Sequence, residues 1–159
     1  MQLREGEEIL KVYHHHPTPF IYQVIKVCFA AAPFYVALFA LRAAFSIKWY
    51  IIFHLILFLI LCVLITYLAL IYWLDRLYVT NQRVVYVDYK YLTIKDDSAV
   101  YLKDIQDIQT KEHGLLSYFK FFDYGTFSLD TASSYIALTF EDAPNPESIR
   151  QFIYHIKNS

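Results

Sequence analysis

Three consecutive histidines, His14, His15 and His16, are the residues best suited to metal chemistry in this sequence. Imidazole is a common ligand for zinc, copper and nickel. Neighbouring side chains of a strand point to opposite faces, so at most two of the three converge, and no nearby cysteine completes a ligand set. The favoured interpretation is solvated histidines near the membrane interface, and it predicts no metal and no cofactor. Because histidine titrates near pH 6.5, a pH-dependent membrane contact ranks slightly ahead of a metal site.

Two aspartates, Asp104 and Asp107, could in principle share acid–base work. On a strand, a separation of three residues puts them on opposite faces, so ordinary solvated carboxylates are the favoured interpretation. The sequence contains no phosphate-binding loop, catalytic triad, paired metal motif or dinucleotide fingerprint. We therefore predict that the protein is not an enzyme.

Arg83 follows a predicted tight turn and is the sharpest candidate for a binding residue. Together with Lys26, Arg76 and Lys90 it could meet the phosphates of lipid headgroups near a bilayer. The alternative is that Arg83 forms a salt bridge within its domain or fixes the turn through hydrogen bonds. The sequence favours the second interpretation.

The element that must position these residues is an apolar run from Trp49 to Leu74, whose 26 residues carry no formal charge. As a helix it would be about 39 Å long, which is enough to cross a bilayer. A weaker apolar segment covers about Tyr22–Leu41, with Lys26 near its start, where the stem can reach the headgroups. The connection Arg42–Lys48 holds no domain, so the sequence predicts a transmembrane helical hairpin within residues 20–74.

Charge and aromatic residues set the predicted orientation of this hairpin. More basic residues flank the ends on the terminal side than occur in the loop, which predicts a multi-pass protein of a bacterial-type plasma membrane with both termini cytoplasmic. The predicted interface anchors are Trp49 and Tyr50 on the loop side and Tyr72 and Trp73 on the cytoplasmic side. Cys28 and Cys62 lie within the two segments and are too far apart along the hairpin for a disulfide.

The remaining chain predicts an N-terminal cytoplasmic segment, residues 1–19, and a cytoplasmic domain, residues 75–159. From Asp75 onward there are nine basic and twelve acidic residues, a balance that excludes a nucleic-acid binder. About seven short strands are predicted after Leu74, with turns at Asn81-Gln82, at Asp96–Ser98 and at Thr131–Ser134, and an aperiodic loop at Leu115–Phe122. The pattern of Ile9–Tyr13 is compatible with a short strand.

The C-terminal stretch predicts an amphipathic helix. Asn145 is a suitable N-cap and Pro146 suits the first helical position. Ile149, Phe152 and Ile153 then fall on one apolar stripe. This helix would plug the end of a small, strongly bent sheet or open barrel.

The order of these parts resembles the bacterial pleckstrin-homology-like (PH-like) family called the membrane-flanked or YdbS-like domain. The resemblance rests on Gly6–Leu10, on Leu77–Val85 with its Thr-Asn-x-Arg motif, on Val100–Ile108 and on Tyr124–Phe127. Its signature residues here are Tyr78, Thr80, Asn81, Arg83, Ile105, Gly125 and Thr126. It implies an α+β membrane protein, in which a two-helix transmembrane hairpin carries a PH-like split seven-stranded β-barrel capped by a C-terminal helix. It implies no agreed activity.

Two functional hypotheses follow. The first is a membrane-anchored PH-like interaction or scaffold module, whose partner besides the lipid bilayer is a membrane protein or a second copy of the chain. The second is a sensor of anionic lipid headgroups that uses the basic residues near the bilayer. The acidic balance of the domain favours the first.

Overall fold

The computed structural model of the chain describes residues 3–112, 124–131 and 134–158. These residues form two compact units. The helical unit comprises residues 17–70, and the soluble unit combines residues 1–16 with residues 71–159. The sequence had suggested a separate segment over residues 1–19, whereas the structure builds the soluble unit from two distant stretches of chain.

The helical unit consists of two long apolar helices. Helix α1 spans Pro17–Ala40, helix α2 spans Ile47–Leu74, and a 3-10 turn at Arg42–Ala44 lies between them. Both helices are long and apolar enough to cross a membrane, by length and composition alone. Helix α1 starts about five residues earlier than predicted, because proline is tolerated in the first turn of a helix. No residue of either helix is buried.

The soluble unit contains two antiparallel sheets. The four-stranded sheet has the order β1 (Ile9–His14), β2 (Arg76–Thr80), β3 (Arg83–Tyr91) and β4 (Ile94–Tyr101). A 3-10 turn at Leu102–Asp104 leads to the three-stranded sheet of β5 (Ile105–Glu112), β6 (Tyr124–Thr131) and β7 (Ser134–Pro144). The described strands do not close into a barrel. The soluble unit therefore has an α+β fold.

The N-terminal segment supplies one of these seven described strands. Strand β1 pairs with β2 so that His14 faces Arg76 and Val12 faces Tyr78. The chain leaves β1 for the two apolar helices and returns directly into β2, its hydrogen-bonded neighbour. Six described strands therefore follow α2, where about seven were predicted.

The predicted turn at Asp96–Ser98 is wrong. Strand β4 runs straight through these residues, and the turn of the hairpin lies at Leu92-Thr93. The charged side chains along β4 are exposed and form cross-strand and same-face pairs, with Lys90 Nζ 2.7 Å from Asp96 and Lys95 Nζ 2.8 Å from Asp97. Aspartate favours turns mainly where it can bond to its own backbone, and long-range strand pairing overrides that preference here.

The core lies between the two sheets and the last helix. Side chains of β6 alternate between buried and partly buried, as expected of a strand with one face in the core. Helix α3 spans Pro146–Lys157, and the Asn145 side chain accepts a hydrogen bond from the Ser148 amide, which confirms the predicted cap. The fully buried large side chains include Phe127, Phe140, Leu77, Leu129, Ile149 and Ile153. The predicted loop Leu115–Phe122 lies outside the described residues, as does the middle of the predicted turn Thr131–Ser134.

Candidate functional site

Arg83, the sharpest candidate in the sequence, forms a two-point ion pair with Glu7. Its Nε donates to Glu7 Oε1 at 2.8 Å and its Nη2 donates to Glu7 Oε2 at 3.0 Å. The Glu7 side chain is fully shielded from solvent and that of Arg83 is 13 % exposed. Planar two-point pairing of this kind is among the strongest of side-chain hydrogen bonds. The favoured interpretation of Arg83, a salt bridge within the domain, is confirmed.

The rest of the Thr-Asn-x-Arg motif also holds the N-terminal segment. Asn81 accepts a hydrogen bond from the Glu8 amide at 3.0 Å and donates to the Gly6 carbonyl at 2.9 Å. The Thr80 hydroxyl lies 2.9 Å from Glu7 Oε1 and 2.8 Å from the Arg83 carbonyl, and it accepts from the Arg83 amide at 3.0 Å. We call residues 4–8 together with residues 80–83 the N-terminal clasp. Its contacts give Thr80, Asn81 and Arg83 a structural role in holding the N-terminal segment.

A backbone turn aims Glu7 into the clasp. Gly6 has a φ of 72°, a left-handed conformation that glycine adopts without steric cost. The Arg4 amide then donates to Glu7 Oε2 at 2.9 Å, and the Arg4 guanidinium donates to the Tyr101 hydroxyl. Glu7 is the partner that sequence reasoning missed. Its signal was present in the Gly-Glu-Glu stretch, but the two members of the ion pair are separated by 76 residues and two helices.

The clasp shifts the acidity of its members in opposite directions. The hydrogen bond from Arg83 lowers the pKa of Glu7 from 4.5 to about 2, although burial of the carboxyl acts the other way. The same hydrogen bond raises the pKa of the Arg83 guanidinium above its ordinary value. The pair therefore stays charged throughout the neutral range.

We expect acid to loosen the clasp. Because the pKa of Glu7 is depressed on folding, its contribution to stability is complete above pH 4.5 and is lost as the pH falls toward about 2. The melting temperature of the protein in a neutral detergent should fall over this window. A Glu7→Gln variant should show a smaller fall, since it has no group to protonate at this position. Equal slopes in the two proteins would contradict the assignment.

His15 and His16 make separate contacts with neighbouring residues. His15 Nδ1 lies 2.7 Å from the Glu141 carbonyl oxygen, and its ring packs 4.7 Å from that of Phe140. The His16 ring stacks on Tyr124 at 5.5 Å. Burial, with smaller effects of Arg76 and His15, lowers the pKa of His14. Among the described residues, no group of three or more histidine, cysteine or acidic side chains could hold a metal ion.

The four basic residues proposed to touch lipid headgroups lie in three elements, α1, β2 and β3. Arg83 is paired with Glu7 and Lys90 is paired with Asp96. Arg76 lies in β2, partly buried, and its Nε has no hydrogen-bond partner within the described parts of the chain. Lys26 lies on α1 with its Nζ 4.3 Å from the centre of the Tyr22 ring.

The predicted interface anchors lie on α2. Trp49 and Trp73 are largely exposed, whereas Tyr50 is half-buried. The Tyr72 hydroxyl donates to the His15 carbonyl at 2.6 Å, which links the end of α2 to the residues that follow β1. Their placement at a bilayer interface stays a prediction.

The remaining signature and carboxylate residues have structural positions. Asp104 ends the 3-10 turn and Asp107 lies in β5, where it accepts a hydrogen bond from the Ile108 amide. Ile105 is buried at the start of β5. The others lie in strands: Tyr78 in β2, and Gly125 and Thr126 in β6.

Two further surface features of the soluble unit were not predicted. One is a groove of about 490 Å³ lined by Asn81, Gln82, Tyr101, Leu102, Lys103, Ile156 and Lys157. The other is the tip of the β3–β4 hairpin, where Tyr91, Leu92 and Ile94 are all exposed. Because Arg83 pairs with Tyr101 and Tyr91 pairs with Ile94, the groove and the tip lie at opposite ends of this hairpin.

Comparison with known proteins defines the class. The family model described as "Bacterial PH domain" matches residues 27–157, so the chain belongs to the bacterial PH domain family. The match begins within α1, and β1 and Glu7 lie outside it. The family is generally non-enzymatic, and its fold indicates a module for interaction or lipid binding.

Among solved structures, the chain is similar to a DUF1696 family protein with a pleckstrin-homology domain from Shewanella loihica PV-4. The two are 16 % identical, with a TM-score of 0.41, over 52 % of this chain and 70 % of the other. No curated protein matches the chain.

Proposed function

We propose that this protein is a membrane-anchored interaction module of the bacterial plasma membrane. In this proposal, both helices span the bilayer and both termini are cytoplasmic. The PH-like unit then binds a protein partner, or a second copy of the chain, at the cytoplasmic face. The observation that carries the proposal is that the two apolar helices are inserted between neighbouring strands β1 and β2.

Three facts support the anchor. Helix α2 is apolar on every side and neither helix has a buried residue, a combination typical of helices that face lipid. The chain leaves and re-enters the soluble unit at paired residues, since His14 of β1 faces Arg76 of β2. Two tethers at adjacent positions would hold one end of the sheet close to the membrane.

The charges of the soluble unit favour a protein partner over a lipid headgroup. Arg83 and Lys90 are each paired with a carboxylate, so these cations are already compensated. From Asp75 onward the chain carries three more acidic than basic residues. Anionic lipid attracts clusters of uncompensated basic residues. Neither Arg83 nor Lys90 contributes an uncompensated charge to such a cluster.

The groove is the surface we assign to the partner. It lies at the end of the β3–β4 hairpin farthest from the tip, and Lys103 and Lys157 border it. The outer edge of β4 is a less suitable docking site, because exposed charged residues such as Lys95 and Asp97 discourage strand addition. A partner segment with acidic residues would complement the groove.

A photo-crosslinking amino acid in place of Lys103, introduced into the full chain in intact cells, tests this function. We expect a discrete protein adduct, and no adduct from the same amino acid at Asp96 near the other end of the hairpin. A self-adduct would identify a second copy as the partner. Absence of any adduct from Lys103, together with a strictly monomeric size in detergent, would overturn the proposal. Extraction of the chain by alkaline carbonate would overturn its membrane anchor.

The headgroup alternative has its own test. The Arg83→Glu exchange would also break the clasp, so Lys90→Glu is the cleaner charge reversal. If the protein senses anionic lipid, this variant should lose a dependence on anionic lipid that the parent shows. We expect no such dependence in either protein.

A further inference from the structure

The tip of the β3–β4 hairpin exposes three apolar side chains. Tyr91 is 57 % exposed, Leu92 40 % and Ile94 49 %. Leu92 lies in the two-residue turn, and Tyr91 and Ile94 flank it at the ends of β3 and β4, so the three side chains form one apolar group at the tip. Exposed apolar groups of this kind commonly mark an interaction site.

The pairing register shows which end of the sheet carries the tip. Arg76, the first residue of β2, faces Val87, and β3 continues four residues beyond it to Tyr91. The tip thus projects past the end of the sheet at which β1 leaves for α1 and β2 returns from α2. At about 3.3 Å per residue, Leu92 extends some 10 Å beyond Tyr89.

A hydrogen bond fixes the base of this projection to the residue that follows α2. Asp75 comes directly after Leu74, the last residue of α2, and its Oδ1 accepts from the Tyr89 amide at 2.7 Å. The hairpin is therefore held at the point where the chain passes from the apolar helix to the sheet.

The chemistry of the tip matches the interfacial layer of a bilayer. Tyrosine is enriched at membrane interfaces, where its ring is apolar and its hydroxyl stays hydrated. Residues 89–97 hold two lysines and two aspartates and so have no net charge. The two lysines are paired with the two aspartates, which compensates the charges next to the apolar side chains.

We propose that the β3–β4 tip inserts Tyr91, Leu92 and Ile94 into the lipid interface next to the transmembrane helices. The tip acts as a third contact between the soluble unit and the bilayer, in addition to the two covalent tethers. This inference rests on the proposed membrane anchor. Because the hairpin is neutral, the contact depends on apolar burial and does not require anionic lipid.

Fluorescence quenching in nanodiscs tests the insertion. The full chain with Cys28→Ala, Cys62→Ala and Leu92→Cys is labelled with a nitrobenzoxadiazole probe and placed in phosphatidylcholine nanodiscs. A second variant uses Ile94→Cys, in case labelling at Leu92 disturbs the turn. We expect a blue-shifted emission that is quenched by phosphatidylcholine with a nitroxide on its acyl chain. Adding anionic lipid should not change the quenching.

Two controls make the outcomes separable. Leu10→Cys labels a side chain that is also apolar and 45 % exposed, but lies near the other end of the sheet, so its probe should stay unquenched. Native Cys62, labelled in the Cys28→Ala chain, reports on α2 itself and should be quenched. Quenching at Cys62 without quenching at Leu92 or Ile94 would overturn the insertion and leave the anchor intact. Lack of quenching at Cys62 would overturn the anchor.

Two further results would also contradict the insertion. One is a blue shift at the tip without lipid quenching, which would place the tip against protein. The other is quenching that appears only with anionic lipid, which would assign the contact to headgroup charge.

Discussion

Replacing Glu7 with glutamine is expected to lower the stability of the soluble unit by about 3 kcal/mol, because it leaves the guanidinium of Arg83 enclosed without its counter-charge. This value is at the low end of the range for buried pairs, because the Arg83 side chain is 13 % exposed and water can partly solvate its unpaired charge. For a unit of this size the loss corresponds to a drop in melting temperature of roughly 10–20 °C. Differential scanning fluorimetry in mild detergent would measure it.

A neighbouring glutamate supplies the matched control. Glu8 is exposed and contributes only its backbone to the clasp, through hydrogen bonds with Asn81. Glu8→Gln should therefore change stability by less than about 0.5 kcal/mol. The double variant Glu7→Gln/Arg83→Gln should lose less than the sum of its single variants, because neither charge remains unpaired. Equal melting temperatures for Glu7→Gln and Glu8→Gln would show that the clasp does not stabilise the unit.

Phe140→Ala should cost about 3–5 kcal/mol, the usual loss for a large aromatic side chain removed from a core. Phe140 is fully buried on β7, opposite Phe127, and its ring lies 4.7 Å from that of His15 and 5.2 Å from that of Tyr86. Phe140 thus packs β7 against β3 and against the residue that follows β1. The soluble unit of Phe140→Ala should therefore be unfolded at a temperature at which that of the wild-type protein is still folded.

Near-ultraviolet circular dichroism in detergent would follow this change, because it reports on packed aromatic rings. Phe140→Leu keeps most of the apolar volume and should lose less than Phe140→Ala. Leu10→Ala serves as the surface control, since Leu10 is 45 % exposed and lies near the end of the sheet away from the hairpin tip. If Phe140→Ala melted at the same temperature as Leu10→Ala, the ring would not belong to the core that holds the two sheets together.

The sequence predicted correctly those helices, strands and turns whose conformation depends on residues close together in the chain. The two apolar helices follow from the composition of consecutive residues, and α3 follows from its cap and its apolar stripe. The turn at Asn81-Gln82 and the strands β6 and β7 were predicted for the same reason. The Asp96–Ser98 turn failed because pairing with β3, a neighbour in space, decided the conformation of these residues.

The same distinction between local and long-range interactions applies to the residues of the candidate site. The sequence identified Arg83 as a residue with a special role and favoured an internal salt bridge, but it did not identify the partner. Glu7 is 76 residues away from Arg83 in the chain. The exposed tip at Leu92 was not predicted, because the turn of this hairpin was assigned to Asp96–Ser98. Both depend on which strands pair and in which register.

By itself, the sequence determined the two apolar helices, the alternating strands that follow them, the closing helix and the PH-like resemblance, because each depends on interactions within a few residues. Only the tertiary structure decided that the N-terminal segment forms β1, that Glu7 neutralises Arg83, and that an apolar tip projects at the end of the sheet joined to the helices. These features arise from pairing between segments separated by the helical insertion. Neither periodicity nor composition records such pairing.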